Sequence, residues 1–229
     1  EQIFISKVLP IHNKLIHFTP NQLQNEIPEQ IMAVMNIHPD DCVLELGSDI
    51  GRNSCIINSL LSDKTKHVVV EPCTNTIPEL TKNRDTHNLL FQIDNCAISN
   101  QSLVQFGWHT KPETQQLLND GWKKINVKNW NNFKSKYSNL NFNVLVIDNE
   151  GNFVQMLKDF PEILNGIKLI IIEHDFNSED DLNFFYGAMI CRRFELCQSY
   201  LKNDIYGPSI NWQDGVKNDP IFVSAWRRY

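Results

Sequence analysis

Residues 42–51 read CVLELGSDIG, and residues 68–72 read VVVEP. The first apolar run ends in Glu45 and is followed by Gly47 and Gly51. The second ends in Glu71, twenty residues beyond Gly51. In a strand–helix–strand unit the glycines make a tight turn under a ligand, and the second acid can take both hydroxyls of a ribose. The pattern predicts a site for an adenosine-type cofactor. A dinucleotide fingerprint would read G-x-G-x-x-G, but Asp49 stands where the middle glycine belongs and a third is missing. Glu45 would repel a pyrophosphate, yet it can accept a hydrogen bond from an ammonium group. These features favour S-adenosylmethionine. The expected contacts are Glu45, Gly47, Ser48, Asp49, Gly51, Asn53, Glu71 and Pro72, with Asp94, Asn95 or Cys96 beside the adenine.

Around this unit, strand-like and helix-like segments alternate. Continuous apolar runs at 43–46, 68–70, 89–93, 144–147 and 169–172 suit parallel strands covered on both faces. Segments 53–61, 75–83, 152–164 and 179–191 have helical length, and Ile27-Pro28-Glu29 starts an earlier helix with Ile31, Val34 and Met35 on one face. Runs at 194–199 and 221–225 come last. The expectation is an α/β fold: a doubly wound, mostly parallel seven-stranded sheet closed by an antiparallel hairpin, in a single domain over 1–229 with 1–38 as lead-in. Stretches 100–143, with Trp108, His109, Trp122 and Trp130, and 202–219, with Trp212, read as irregular loops able to cover a substrate.

The net charge of −6 argues against a nucleic-acid partner, which would favour a basic face. Six cysteines (Cys42, Cys55, Cys73, Cys96, Cys191, Cys197) show neither C-x-x-C nor zinc spacing, as expected of a reduced cytoplasmic protein. No apolar run reaches the ~18 residues of a membrane span. The chain opens on Glu1, which fits one domain of a longer polypeptide.

ELGSDIG, VVVEP, NCAIS at 95–99, VLVIDNEG at 144–151 and LIIIEHD at 169–175 together resemble the FkbM-type S-adenosylmethionine-dependent methyltransferases. The resemblance implies the class I methyltransferase fold and O-methylation of a sugar or glycan hydroxyl, for example on a deoxysugar such as rhamnose. It also suggests a setting beside, or fused to, glycosyltransferase domains. Two residues depart from the family pattern: Asp49 replaces a small loop residue, and Asn149 interrupts an aspartate-valine-glutamate-glycine run.

A sugar hydroxyl is a poor nucleophile, so its proton must be removed or polarised. One arrangement uses a base, His109 or His174, with Asp148 and Glu150 at the end of the fourth strand. The other uses Mg2+ or Mn2+ held by Asp148, Glu173 and Asp175, which end neighbouring strands about 5 Å apart. Trp108, Trp130 and Trp212 are candidates to stack on a sugar face. The rival readings are a nicotinamide-dependent oxidoreductase and a non-catalytic, methyltransferase-like scaffold domain.

Overall fold

The computed structural model describes residues 2–202, 216 and 219–229. The expected loop of 202–219, Trp212 included, therefore lies almost wholly outside the described residues. A mixed seven-stranded sheet forms the centre. It contains β1 (Val43–Leu46), β2 (His67–Val70), β3 (Gln92–Asp94), β9 (Val144–Ile147), β10 (Leu169–Glu173), β11 (Glu195–Leu201) and β12 (Ile221–Arg227). The spatial order is β11-β12-β10-β9-β1-β2-β3. From β3 to β10 neighbours run parallel, whereas β12 enters antiparallel between β10 and β11.

Period-two alternation divides the strand residues between two cores. Leu44, Leu46, Val68, Val70, Leu145, Ile147, Ile170 and Ile172 face one side. There they meet α6 (Trp130–Lys136), α7 (Phe153–Asp159) and α8 (Glu179–Cys191). Val43, Val144, Val146, Leu169 and Ile171 face the other, against α2 (Ile27–Asn36) and α3 (Arg52–Leu60). Val69 meets α4 (Ile77–Thr86) on that same side, beneath the N-terminal α1 (Leu9–His12). Ile31, Met32, Ala33 and Val34 form the buried face of α2, while Met35, expected there, is 41% exposed. Pro161 ends α7 and starts a short 3-10 turn, so the expected 152–164 helix is divided.

Stretch 100–143 is not irregular. It holds the hairpin β5 (Leu103–Phe106) and β6 (His109–Pro112), with β7 (Lys123–Lys124) pairing on β5. Two-residue strands β4 (Ala97–Ile98) and β8 (Val127–Lys128) pair beside it, and α5 (Gln115–Asn119) lies in the same region. These strands are short and largely polar, so they lack the continuous apolar signal of the central ones. No helix among the described residues is long and apolar enough to cross a membrane.

Candidate functional site

A cavity of about 320 Å³ opens at the carboxyl ends of β1, β2, β9 and β10. Its wall includes Gly47, Ser48 and Asp49 from the glycine loop, Glu71 and Pro72 after β2, Cys96, and Asp148, Glu150 and Glu173. The β5–β6 hairpin contributes Gln105, Gly107 and Trp108, the segment leading into α2 contributes Asn25 and Glu26, and the first turn of α2 contributes Glu29. Ligands of open α/β sheets bind at this end of the strands.

The glycine loop takes its shape from backbone contacts. Gly47 has φ +84°, and a Cβ there would stand 1.6 Å from the Asp148 carbonyl oxygen, so only glycine fits beside β9. Gly51, with φ +91°, precedes α3, and a Cβ there would meet the Leu80 side chain at 2.7 Å. Asp49 adopts φ +45°, a left-handed conformation that aspartate tolerates better than most residues. Its carboxylate accepts from Arg52 Nη1 at 2.7 Å, which also donates to Glu26 at 3.0 Å. The unusual residue in the glycine loop is thereby turned into an ion pair.

Glu71 clamps this loop. One carboxylate oxygen accepts the Ser48 and Asp49 amides at 3.0 and 2.9 Å, and the other accepts the Cys73 amide at 2.7 Å. Burial raises its pKa and the three amides hold it down, with burial prevailing. With three amides already on a group that has about four acceptor positions, Glu71 has room for one further strong hydrogen bond rather than the two expected for a ribose.

Several expected contacts are elsewhere. Glu45 points into the α2–α3 side of the sheet, where its carboxylate meets His67 Nε2 at 2.9 Å. Strand alternation explains this: a residue two before the turn lies in the sheet's side face, not at its top. Asp94 turns away from the cavity to Lys128, Lys136 and Tyr137. Burial there is outweighed by the two ammonium groups, which keep its carboxyl below the ordinary range. Asn95 is spent on local bonds, its amide donating to the Glu71 and Pro72 carbonyls and its oxygen accepting from Thr74. Asn53 is buried on α3 and Gly51 serves the turn; neither lines the cavity. Cys96 and Pro72 do.

The histidine expectations also fail. His174 is 1% exposed, with Asp219 on Nδ1 and Ser224 on Nε2, both at 2.7 Å. It packs against Phe176 and Phe185 as a core residue. His109 is exposed on β6, outside the cavity wall. Trp130 is core as well, whereas Trp108 lines the cavity and is 67% exposed.

The carboxylates do converge. One oxygen from each of Asp148, Glu173 and Asp175 lies within 4.8 Å of the other two. The turn after β9 makes this possible: Glu150 and Gly151 both have positive φ, and a Cβ on Gly151 would meet the Asp175 carbonyl oxygen at 2.4 Å. Asn149 is functional in this turn, since its side-chain oxygen accepts the Phe153 amide at the start of α7. Burial raises the Glu173 pKa well above the carboxylate range, with Asp148 and Asp175 adding to it. Burial also raises Asp148, and a side-chain hydrogen bond with Glu173 pulls it back. Such a donor set suits a hard divalent cation.

Sequence reasoning missed Glu26, Glu29 and Arg52. Glu26 and Glu29 belong to a segment without a recognisable spacing relative to the glycine loop, and only the folded chain brings them over it. Glu29 Oε2 and Ser48 Oγ are buried atoms of the cavity wall with no hydrogen-bond partner among the described residues. Orphaned polar atoms of this kind are expected where a polar ligand completes the site.

No protein-family model matches the chain, and no curated protein matches it. Solved structures do. An O-methyltransferase from Bacillus cereus in complex with SAH aligns with 100% of this chain and 91% of its own, at TM-score 0.51 and 12% identity. A candidate O-methyltransferase from Klebsiella pneumoniae gives TM-score 0.55 and 10% identity over the same shares of the two chains. A protein of the NADB-Rossmann superfamily from Streptococcus agalactiae gives TM-score 0.51 and 12% identity, over 87% of this chain and 67% of its own. The chain has the Rossmann-like α/β fold found in class I methyltransferases, with an antiparallel strand set into the sheet near one edge.

Proposed function

We infer that the protein is an S-adenosylmethionine-dependent O-methyltransferase whose acceptor is a sugar hydroxyl, on a deoxysugar such as rhamnose or within a glycan. One observation carries the reading: a single cavity joins the Glu71-clamped glycine loop to Asp148 and Glu173, two of the three converging carboxylates. The FkbM-like segments of the sequence support the sugar acceptor, and the exposed indole of Trp108 offers a face for a sugar ring. The missing glycines weigh against a nicotinamide cofactor.

The residues present fit the donor, since Glu71 stands at the ribose position and Ser48 Oγ awaits a polar partner. When bound, the donor supplies a methyl carbon on a sulfonium, and in-line attack by the acceptor oxygen leaves neutral S-adenosylhomocysteine. The wall between Gly47 and Trp108 orients the two reactants, which is the largest contribution a protein makes to such a displacement. Asp148 accepts the acceptor's proton, because it stands in the cavity wall while His109 lies outside that wall and His174 in the core. In the metal-assisted alternative, the ionised Asp148, Glu173 and Asp175 would instead hold Mg2+ or Mn2+, and such a cation would lower the pKa of the hydroxyl.

The test is transfer of labelled methyl to a panel of mono- and oligosaccharides, with and without chelator. Asp148→Asn is expected to lower kcat by 10²-fold or more, on the order of a lost general base, while S-adenosylhomocysteine still binds. Undiminished turnover in Asp148→Asn would remove this residue from the chemistry. Activity lost on chelation and restored by Mn2+ would identify the carboxylates as a metal site.

A further inference from the structure

We propose that Glu29, on α2, receives the α-ammonium group of the methyl donor; this rests on the donor reading above. The sequence points to Glu45 for that task, but Glu45 is 1% exposed and bound to His67. Another acid must meet the positive charge, or it would enter the cavity without a counter-ion, which is costly away from water.

The acids around the cavity can be taken in turn. Glu71 holds three backbone amides of the ribose end. Asp49 and Glu26 share the Arg52 guanidinium. Asp148 and Glu173 form a hydrogen-bonded pair, Asp175 converges with them, and Glu150 has an interaction of its own. Glu29 is different. The residue is 7% exposed and lines the cavity, and its Oε2 has no hydrogen-bond partner among the described residues. It makes no ion pair with a described lysine, arginine or histidine, although Arg52 lines the same cavity.

A buried carboxylate oxygen without a donor is a group made to be completed by a ligand. Glu29 stands outside the trio of converging oxygens, so it offers a single carboxylate. A hard divalent cation takes several oxygens at once, whereas an alkylammonium is satisfied by one carboxylate and neutral acceptors. Ser48 Oγ, an unpartnered atom of the wall like the donor Arg52 Nε, supplies a neutral acceptor in the glycine loop.

The test is a double cycle by calorimetry, using S-adenosylhomocysteine and its deaminated analogue on the wild-type protein, Glu29→Gln and Glu45→Gln. Wild type should prefer the amine-bearing compound by roughly tenfold or more, as expected for a charge-assisted hydrogen bond. In Glu29→Gln that preference should fall to about twofold or less, and in Glu45→Gln it should persist. The thermal midpoint of ligand-free Glu29→Gln should be unchanged or higher, because the variant removes a buried carboxyl whose Oε2 has no hydrogen-bond partner among the described residues and whose ionisation burial opposes; a purely structural role predicts a lower one. Equal affinity of wild type for the two compounds overturns the proposal without any variant. So does a full preference retained in Glu29→Gln, including the case where that variant loses only Mn2+ binding. If wild type binds neither compound, the donor reading itself falls, an outcome distinct from either of these.

Discussion

Residue identity decides the site where backbones approach most closely. Gly47 sits against the Asp148 carbonyl with no room for a methyl group, in a conformation that also disfavours one. Gly47→Ala is therefore expected to cost roughly 3 kcal/mol or more, since both strain and displacement of β9 contribute; urea unfolding measures this directly. The same contact shows what the sequence can reveal. Gly47, Glu71 and Asp148 could be read from strand ends and spacing, because backbone position alone brings them to the cavity. Glu45, Asp94 and His174 could not. Each lies in the expected stretch, but its side chain points into an ion pair or the core, and direction depends on partners such as His67, Lys128 and Asp219 that are remote in sequence. Glu29 was invisible for the converse reason: nothing in its own segment announces the cavity it reaches.

At the scale of elements, the central strands were legible because burial on both faces demands unbroken Val, Ile and Leu. The hairpin β5–β6 was not, since His109, Lys111 and their neighbours are exposed and follow no apolar alternation. Yet this hairpin supplies one wall of the cavity. Its tip carries Phe106, Gly107 and Trp108, and Phe106 leans on Trp122 with ring centroids 5.9 Å apart. Trp108 itself is supported by little of the core. Trp108→Ala should change folding stability by no more than about 0.5 kcal/mol. It should raise the acceptor KM roughly three- to tenfold, leaving kcat and S-adenosylhomocysteine affinity near wild type. A large loss of stability, or an unchanged KM, would contradict this role for the hairpin.

For the whole molecule, the gathering of acids above the sheet makes stability depend on pH in a direction that can be worked out. Burial and the neighbouring Asp148 push Glu26 up to about 8, against the pull of Arg52. Burial, followed by Glu26, raises Glu29 well above its ordinary 4.5. Raised carboxyls mean that the folded chain binds more protons than the unfolded one between these limits. Stability should therefore decline as pH rises from about 4.5 towards 8. Asp94, shifted the opposite way, acts only below its ordinary 3.8 and leaves that window untouched. Urea midpoints of the ligand-free protein at pH 5 and pH 8 test the slope, which Glu29→Gln should flatten.

The position of β12 has its own consequence for how the chain is made. Because β12 is the only neighbour of β11 in the sheet among the described residues, β11 waits for a partner that is synthesised later. While the polypeptide emerges from a ribosome, the Ile170–Ile172 border stays open to the surroundings until residue 227 has cleared the exit tunnel. The nascent protein thus displays this border from the completion of β10 until β12 emerges, and chaperone capture should be strongest just before β12 arrives.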